Sequence, residues 1–478
     1  MRCGGRGLGA RGRGPGDGGR GPGARDRGSG NEMQLNGTKT LVVGMKKSGM
    51  ASAELLAREG AVARATDLKP LEELGEAREL LGRLDIPFAR QTPEVFEGCE
   101  LIVLSPDVPA DLAPLAEARQ RGVRVVGEVE LAAPFLKGET IGITGSNGKT
   151  TTTSLVGHML REAGVPVQVG GNIGRPVTAM VESSRVDGWN VLELSSFQIE
   201  TISEFRAHIA LALNVTANHL DRHHTFENYA AAKGRLFETQ RSGDFAVLNA
   251  EDPVCAGYAE GSLATAQWFS SRREVWPGAS LRGENLVLDG RVLMGAGEIP
   301  IRGRHNVENV LAAAIAAARA GVKPEAIAAA VRTFQAVEHR LEFVRTVSGV
   351  DFYNDSKATS VDATLKALDA FPGGLWVILG GKDKGLDYSP LRAPLEAKAR
   401  AALLIGAAAA KIADQLRGAA PLVDSRTLDA AIAHAYAKSR PGDTILLAPA
   451  CASFDQFKSF EHRGEVFKQI VHQLPPKD

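Results

Sequence analysis

From Lys39 onward, short β-branched runs alternate with Ala- and Leu-rich stretches of helical length. That alternation is the pattern of parallel α/β sheets, whose strands are covered on both faces and read as near-continuous apolar runs. TKTLVVG (38–44) predicts a strand, MASAELLAREG (50–60) a helix closed by glycine, and AVARATD (61–67) and ELIVLSP (100–106) two more strands. A second unit opens with ETIGITG as strand and TTTSLVGHMLREAG (151–164) as helix. It continues through WNVLELSSFQIE (189–200) and AHIALALNVTANHLDRH (207–223), each an apolar strand running straight into polar residues. A third unit, from about residue 340, repeats the pattern in VDFYNDSKATS, LWVILGGKDKG, AALLIGA and DTILLAPACASFDQF. The expectation is an α/β chain of three domains. These are a Rossmann-like domain over 33–138, a central P-loop-type ATPase domain with a mostly parallel sheet over 139–337, and a Rossmann-like domain over 338–478. In such sheets ligands bind at the carboxyl ends of the strands, where the polar runs fall.

Composition narrows the class. The chain has 478 residues, 44% hydrophobic and 23% charged, the profile of a soluble globular protein. It holds no apolar run long enough to span a membrane. Four widely spaced cysteines without a CxxC pair fit a reducing cytoplasm rather than a disulfide or thiolate-metal framework. The formal charge of zero hides an asymmetry. Residues 1–30 carry seven Arg against two Asp, which leaves 49 basic and 54 acidic side chains, a net of −5, in the rest. A body of that sign has no general attraction for nucleic acid. The Gly/Arg-rich head, 1–32, lacks the residues to form a core and reads as disordered. An RNA-touching tail, an inert extension and a misplaced start are the three readings. The last two are favoured, because Met33 opens MQLNGTKTLVVG as a strand-first domain would.

The chemistry centres on IGITGSNGKTTTT (141–153). Anchored on Gly148-Lys149-Thr150, the P-loop pattern asks for glycine at 143, and the chain has Ile143. Backbone N–H groups of Gly145, Ser146, Asn147 and Gly148 form an anion cradle, with Thr151 next in the helix. Lys149 reaches the β/γ-phosphates and the Thr150 hydroxyl ligates Mg²⁺. Glu193 interrupts VLELSS where its strand meets the nucleotide, as a metal ligand or an exposed strand end. His219 follows another strand on the same edge. Asn306 and Asn309 lie three apart on one helix face. Capping explains Asn306 but explains Asn309 poorly, and purine or phosphate contacts explain both. Arg340, in EHRLEF between the second and third units, is placed to close on a γ-phosphate. Lys357 and Lys384 add cations suited to an acidic substrate. In the first unit Gly44-Met-Lys-Lys-Ser-Gly49 lacks the second glycine of a dinucleotide fingerprint, which argues against NAD. Asp67, at a strand end, meets a ribose or base, or is simply solvated.

ITGSNGKTTTT, LELSSFQIE, NVTANHLDRH, AAKGRLF, HNVENVLAA, EHRLEF, YNDSKATS, LGGKDKG and APACASFDQFKSFEHRG together resemble the Mur ligases over roughly residues 37–470. LELSSFQ, NDSKAT and PACASFDQF are similar to the D-glutamate-adding branch in particular. The resemblance implies ATP-dependent ligation of D-glutamate to UDP-N-acetylmuramoyl-L-alanine in peptidoglycan precursor synthesis, through an acyl phosphate, with ADP and phosphate released. It implies a cytoplasmic monomer working on small molecules, with two Mg²⁺ ions and no need of nucleic acid or membrane. By position it assigns phosphate and metal to Lys149 and Thr150, the metal site to Glu193 and His219, and a carbamylated metal-ligating lysine to Lys233. Composition alone would make Lys233 a solvated helix cation. The same resemblance assigns ATP contacts to Asn306, Asn309, Arg340 and Asp355, and the D-glutamate pocket to Thr359, Lys384, Ser453, Phe454 and Phe460, with Lys382 in GGKDKG the alternative to Lys384. Asn172 meets the UDP-sugar. Ser105 opens a Ser-Pro-Gly motif that departs here to Ser105-Pro106-Asp107, adding negative charge beside an expected uridine diphosphate. Lys46 and Lys47 are the cations that can offset it.

Overall fold

The computed structural model describes residues 33–477, and the Gly/Arg-rich head lies outside them. Three sheets follow one another along the chain. The first holds β1 (Lys39–Val43), β2 (Val62–Asp67), β3 (Phe88–Arg90), β4 (Leu101–Leu104) and β5 (Arg124–Gly127), all parallel, in the order β3-β2-β1-β4-β5. The order reverses between β1 and β4, so a crevice opens beyond their carboxyl ends. The helix after β1 runs Lys47–Arg58, three residues earlier than its apolar pattern predicts, with Lys46 extended at its cap.

The second sheet holds β6 (Glu139–Thr144), β7 (Val167–Gly171), β8 (Trp189–Glu193), β9 (Ile209–Ala212), β10 (Phe245–Asn249), β11 (Thr265–Ser270), β12 (Gly278–Arg282), β13 (Asn285–Leu288) and β14 (Arg291–Gly295), in the order β14-β13-β12-β11-β10-β9-β6-β8-β7. β7 to β12 are parallel, while β12, β13 and β14 form an antiparallel meander. The β13–β14 turn places Asp289 and Gly290 at φ 47° and 76°, the left-handed pair that matches strand twist in a tight hairpin. Against this sheet lie the helices Lys149–Glu162 and Arg304–Arg319. Residues 310–317 of the latter, VLAAAIAA, are all fully buried. An apolar surface on every side suits a helix with no water-facing side, and alanines let its neighbours approach closely.

The third sheet holds β15 (Glu342–Val347), β16 (Val350–Asn354), β17 (Leu375–Gly380), β18 (Ala399–Ile405), β19 (Leu422–Arg426) and β20 (Thr444–Leu447), in the order β15-β16-β20-β17-β18-β19. Only β15 runs antiparallel. Because β20 inserts between β16 and β17, the loops after these three parallel strands emerge side by side at one edge.

Two short carboxylates join the first sheet's domain to the second. Glu130 accepts from the N–H groups of Ser203, Glu204 and Phe205 at 3.0, 2.9 and 3.0 Å, and Glu128 accepts from Val177 N–H at 2.5 Å. Toward the third domain, the phosphate loop itself makes the contact, with Asn147 donating to Asp362 at 2.9 Å.

Candidate active site

Sheet register explains the phosphate loop. Ile143 pairs with Glu193 on β8 and Leu211 on β9 and is fully buried, so position 143 is still core strand. The loop turns only at Gly145 (φ 151°) and Gly148 (φ 84°). A Cβ at Gly148 would come within 2.5 Å of Asn309 Oδ1, so the glycine admits both the left-handed turn and the Asn helix. Lys149 folds back to donate to Gly145 O at 2.8 Å and Ser146 O at 3.0 Å. Asn147 is gripped through its backbone by Asn214, which accepts from Asn147 N–H at 2.9 Å and donates to its carbonyl at 3.1 Å. Ser146 Oγ meets Tyr229 Oη at 3.0 Å.

Glu193 is 2% exposed, which overturns its reading as an exposed strand end. One oxygen accepts from Asn172 Nδ2 at 2.9 Å, while the other is buried without a hydrogen-bond partner. An orphaned carboxylate oxygen in a protein interior is a site for a cation. Asn172 stands beside it because Gly171 pairs with Glu193 in the β7–β8 ladder. Lys233 is 1% exposed, not solvated. Its amine donates to Gly145 O at 3.1 Å and Thr144 Oγ1 at 3.4 Å, and sits 4.6 Å from the Tyr229 ring centre. Burial pulls this lysine well below the ordinary range, and the nearby Lys149 adds to the shift. His219 is exposed, in left-handed backbone (φ 53°) at the start of the short helix Leu220–His223, with its ring 4.9 Å from that of Phe197 and 6.5 Å from that of Tyr229. Lys233 and His219 thus share Tyr229 as a neighbour.

A cavity of about 240 Å³ lies between the second and third sheets' domains, lined by Asn147, Gly148, Thr151, Asn306, Asn309, Arg340 and Asp355 among others. Asn309 donates to Asn306 Oδ1 at 2.9 Å, and Asn306 donates to Arg302 O at 2.7 Å. The helix cap is Gly303, so Asn306 is not there to cap. Arg340 donates through Nη2 to Thr150 Oγ1 at 3.0 Å, and its Nε is buried without a partner. Burial lowers Lys149 and Lys357 each to about 8, and Arg340 deepens both shifts while Glu193 opposes them. Burial raises Asp355 to about 7 despite the Arg340 charge.

A second cleft of about 720 Å³ lies at the carboxyl edge of the first sheet, bordered by Lys46, Asp67, Ser105, Asp107 and Asn172. Asp67 is neither free nor merely solvated, since its oxygens accept from Met45 N–H at 2.8 Å and Lys69 N–H at 3.0 Å. Ser105 Oγ donates to Gly44 O at 2.6 Å. Lys46 pairs with Asp107 at 2.6 Å with both side chains exposed, so in this structure the cation sits against the added carboxylate.

The three adjacent loops of the third sheet carry Thr359, Lys384 and the pair Ser453 and Phe454. Ser453 is buried, Phe454 is 66% exposed and Lys384 is exposed. Phe460 opens the helix Phe460–Gln473, with Lys357 Nζ 5.4 Å from its ring centre. Sequence reasoning passed over Tyr229, Asn214 as a grip on the loop, and Arg463. The signal was present in the helices. Tyr229, Ala232, Lys233, Leu236 and Phe237 form one apolar stripe, and a lysine on such a stripe is turned inward. Glu338, His339 and Glu465 form the cluster that comes nearest to a metal set among the described residues, and the Lys468 ammonium fills it, 3.0 Å from Glu465.

Three family models match in tandem: the Mur ligase MurD-like N-terminal domain over residues 38–127, the Mur ligase middle domain over 143–317, and the Mur ligase glutamate ligase domain over 339–451. The chain is 78% identical over 446 residues to the UDP-N-acetylmuramoylalanine–D-glutamate ligase of Solibacter usitatus (strain Ellin6076), covering 93% of this chain and 100% of that protein. It is 50% identical over 455 residues to the protein of the same name from Acidobacterium capsulatum, covering 92% and 97%. Among solved structures, the UDP-N-acetylmuramate-alanine ligase of Thermotoga maritima superposes with a TM-score of 0.58 at 18% identity, over 91% of this chain and 99% of that one. At that identity the likeness speaks for the fold alone.

Proposed function

The chain belongs to the Mur ligase family, and from that premise we propose that it joins the amine of D-glutamate to the alanyl carboxylate of UDP-N-acetylmuramoyl-L-alanine, driven by ATP, in peptidoglycan precursor synthesis. We take the domains as 33–138 for the uridine diphosphate end, 139–337 for ATP and 338–478 for the amino acid. The observation that carries the reading is the convergence of half-buried Lys149, Arg340 and Lys357 with buried Glu193 at one phosphate loop, between the cleft of the first sheet and the loops of the third.

A carboxylate is a poor electrophile. One of its oxygens attacks the γ-phosphorus of ATP, ADP leaves, and the acyl phosphate now has phosphate as its leaving group. The D-glutamate amine adds to the acyl carbon, a tetrahedral intermediate forms, and phosphate departs as the amine loses its proton. Lys149 and the N–H groups of Gly145 and Gly148 are our phosphate donors, since Asn214 already takes those of Ser146 and Asn147. The unpartnered Nε of Arg340 is a donor available for charge that builds on the transferred group. The family uses Mg²⁺ with ATP, and such an ion screens the repulsion between phosphates and carboxylate. Thr150, Glu193, His219 and Lys233 are our ligand set for two ions, and the partnerless oxygen of Glu193 supports it. Carbamylation of Lys233 is supported by its burial. A lysine held below its ordinary range is more often neutral, the neutral amine adds CO₂ and releases a proton, and the product is an anionic oxygen ligand.

Phosphate release with UDP-N-acetylmuramoyl-L-alanine and a panel of amino acids is the test. Turnover with D-glutamate alone is expected; turnover with L-glutamate or diaminopimelate instead would overturn the substrate assignment. We also read the protein as a cytoplasmic monomer acting on small molecules. Among the described residues no helix is long and apolar enough to cross a membrane.

A further inference from the structure

Arg463 sits four residues into the helix Phe460–Gln473 and is completely buried. Its bonds all go to neutral oxygens. Nε donates to Ser356 Oγ at 2.9 Å, Nη2 to Ser356 O at 2.8 Å and Cys451 O at 3.2 Å, and Nη1 to Cys451 O at 3.2 Å and Ala452 O at 3.5 Å. Among the described residues no carboxylate lies within ion-pair distance of it. Asp455 favours the charge only from beyond ion-pair distance. Burying an ion without a direct counter-ion is costly, so the guanidinium must supply something a neutral side chain cannot. It supplies five donors in one rigid plane, and the backbone around it turns several carbonyls inward that would otherwise lack partners.

Those carbonyls belong to two of the three loops at the amino-acid edge. Ser356 precedes Thr359 on the loop after β16, and Cys451 and Ala452 precede Ser453 and Phe454 on the loop after β20. The loop after β17, which carries Lys384, joins them at one remove. Ala452 O also accepts from Lys382 N–H at 2.8 Å, and a Cβ on Gly381 would stand 2.2 Å from that same oxygen and 3.2 Å from Arg463 Nη1. Ser356 Oγ donates its own O–H to Phe460 O at 2.8 Å, tying the first turn of the helix into the same ring. One guanidinium thus bonds the loops after β16 and β20 directly, and bears on the loop after β17 through Ala452 and on the Phe460 turn through Ser356.

We propose that Arg463 is the positioning residue of the amino-acid pocket, its planar fork setting the loops that present Thr359, Lys384, Ser453, Phe454 and Phe460 to a dicarboxylate amino acid. The assignment rests on the reading of these loops as the D-glutamate site. Burial lowers the guanidinium only to about 10, so it stays charged at neutral pH.

The test uses the full-length chain and measures the KM of each substrate by phosphate release. Arg463→Lys keeps the charge and removes the fork; its KM for D-glutamate is expected to rise about tenfold, with the KM for ATP and for the UDP-sugar within about twofold of wild type. Ser356→Ala removes the Nε acceptor together with the Oγ donor to Phe460 O and is expected to shift the same KM about threefold in the same direction, with the thermal midpoint held. The proposal is overturned if both folded variants keep the wild-type KM for D-glutamate, or if all three KM values rise together. If wild type turns over a different amino acid, the site reading has failed. The same split is then read for that amino acid, and Arg463 stands or falls on it separately.

Discussion

The cavity between the second and third domains and the cleft of the first sheet are both lined with charge, yet the charges live under different physics. In and beside the cavity, Lys149 and Lys357 are half-buried and Asp355 is buried, and burial has moved each toward neutrality. In the cleft, Lys46 and Asp107 are 79% and 62% exposed and pair across open solvent. Charge in the cavity is costly and tuned, so each group is bound to its neighbours' protonation. Charge in the cleft is cheap, screened by salt and replaceable. A change in the cavity should therefore be felt in the chemistry, and one in the cleft scarcely at all.

The contrast breaks first at Lys149. Lys149→Ala is expected to lower ATP-dependent phosphate release by about a thousandfold, since nothing else in the loop supplies a desolvated cation. A loss under about tenfold would show the burial to be structural only. Lys233→Ala should cost about a hundredfold and recover in part when acetate or formate is added, because a small carboxylate can occupy the place of a carbamate. Absence of any recovery would count against the carbamate.

Asp355 sharpens the contrast through pH. Its folded value of about 7 lies above the ordinary 3.8, so the native state keeps a proton that the unfolded chain releases. Its contribution to stability is full at low pH, below the unfolded value, and is lost as pH rises through about 7. Asp355→Asn stays neutral throughout. Its melting temperature relative to wild type should climb between about pH 5 and about pH 8. A flat difference would place the carboxylate in contact with water. The smallest effect is expected in the cleft. Asp107→Gly should shift the KM for the UDP-sugar less than about threefold and stability by under about 0.5 kcal/mol, with the difference fading as salt is raised.

Much of the site was readable because strand register converts sequence into neighbourhood. An apolar run ending in polar residues puts those residues on the ligand edge, and the β6–β8 and β6–β9 pairings then set Glu193 and Asn214 beside the phosphate loop. The meander of β12 to β14 and the edge strands β15 and β19 were not anticipated. Their sequences, such as RVLMG and LVDSR, mix charge with apolar residues as edges do, and lack the buried run that marks a central strand. Lys46 and Asp107 were read as facing one diphosphate but not as a direct pair: the two residues lie 61 apart, and the β1–β4 adjacency brings their loops together. Arg463 was visible in principle, as a charged residue on the stripe Arg463, Gly464, Phe467 and Val471.

The Asn147–Asp362 hydrogen bond joins residues 215 apart. During synthesis, a ribosome that has delivered the whole second sheet has still not delivered Arg340, Asp355, Lys357 or Asp362 to the cavity they help line or border. The phosphate loop is thus present in a half-made chain while its far wall is missing. A nascent or truncated chain therefore has no complete place in which to use ATP, and contact across so long a separation makes that wall among the last features to form.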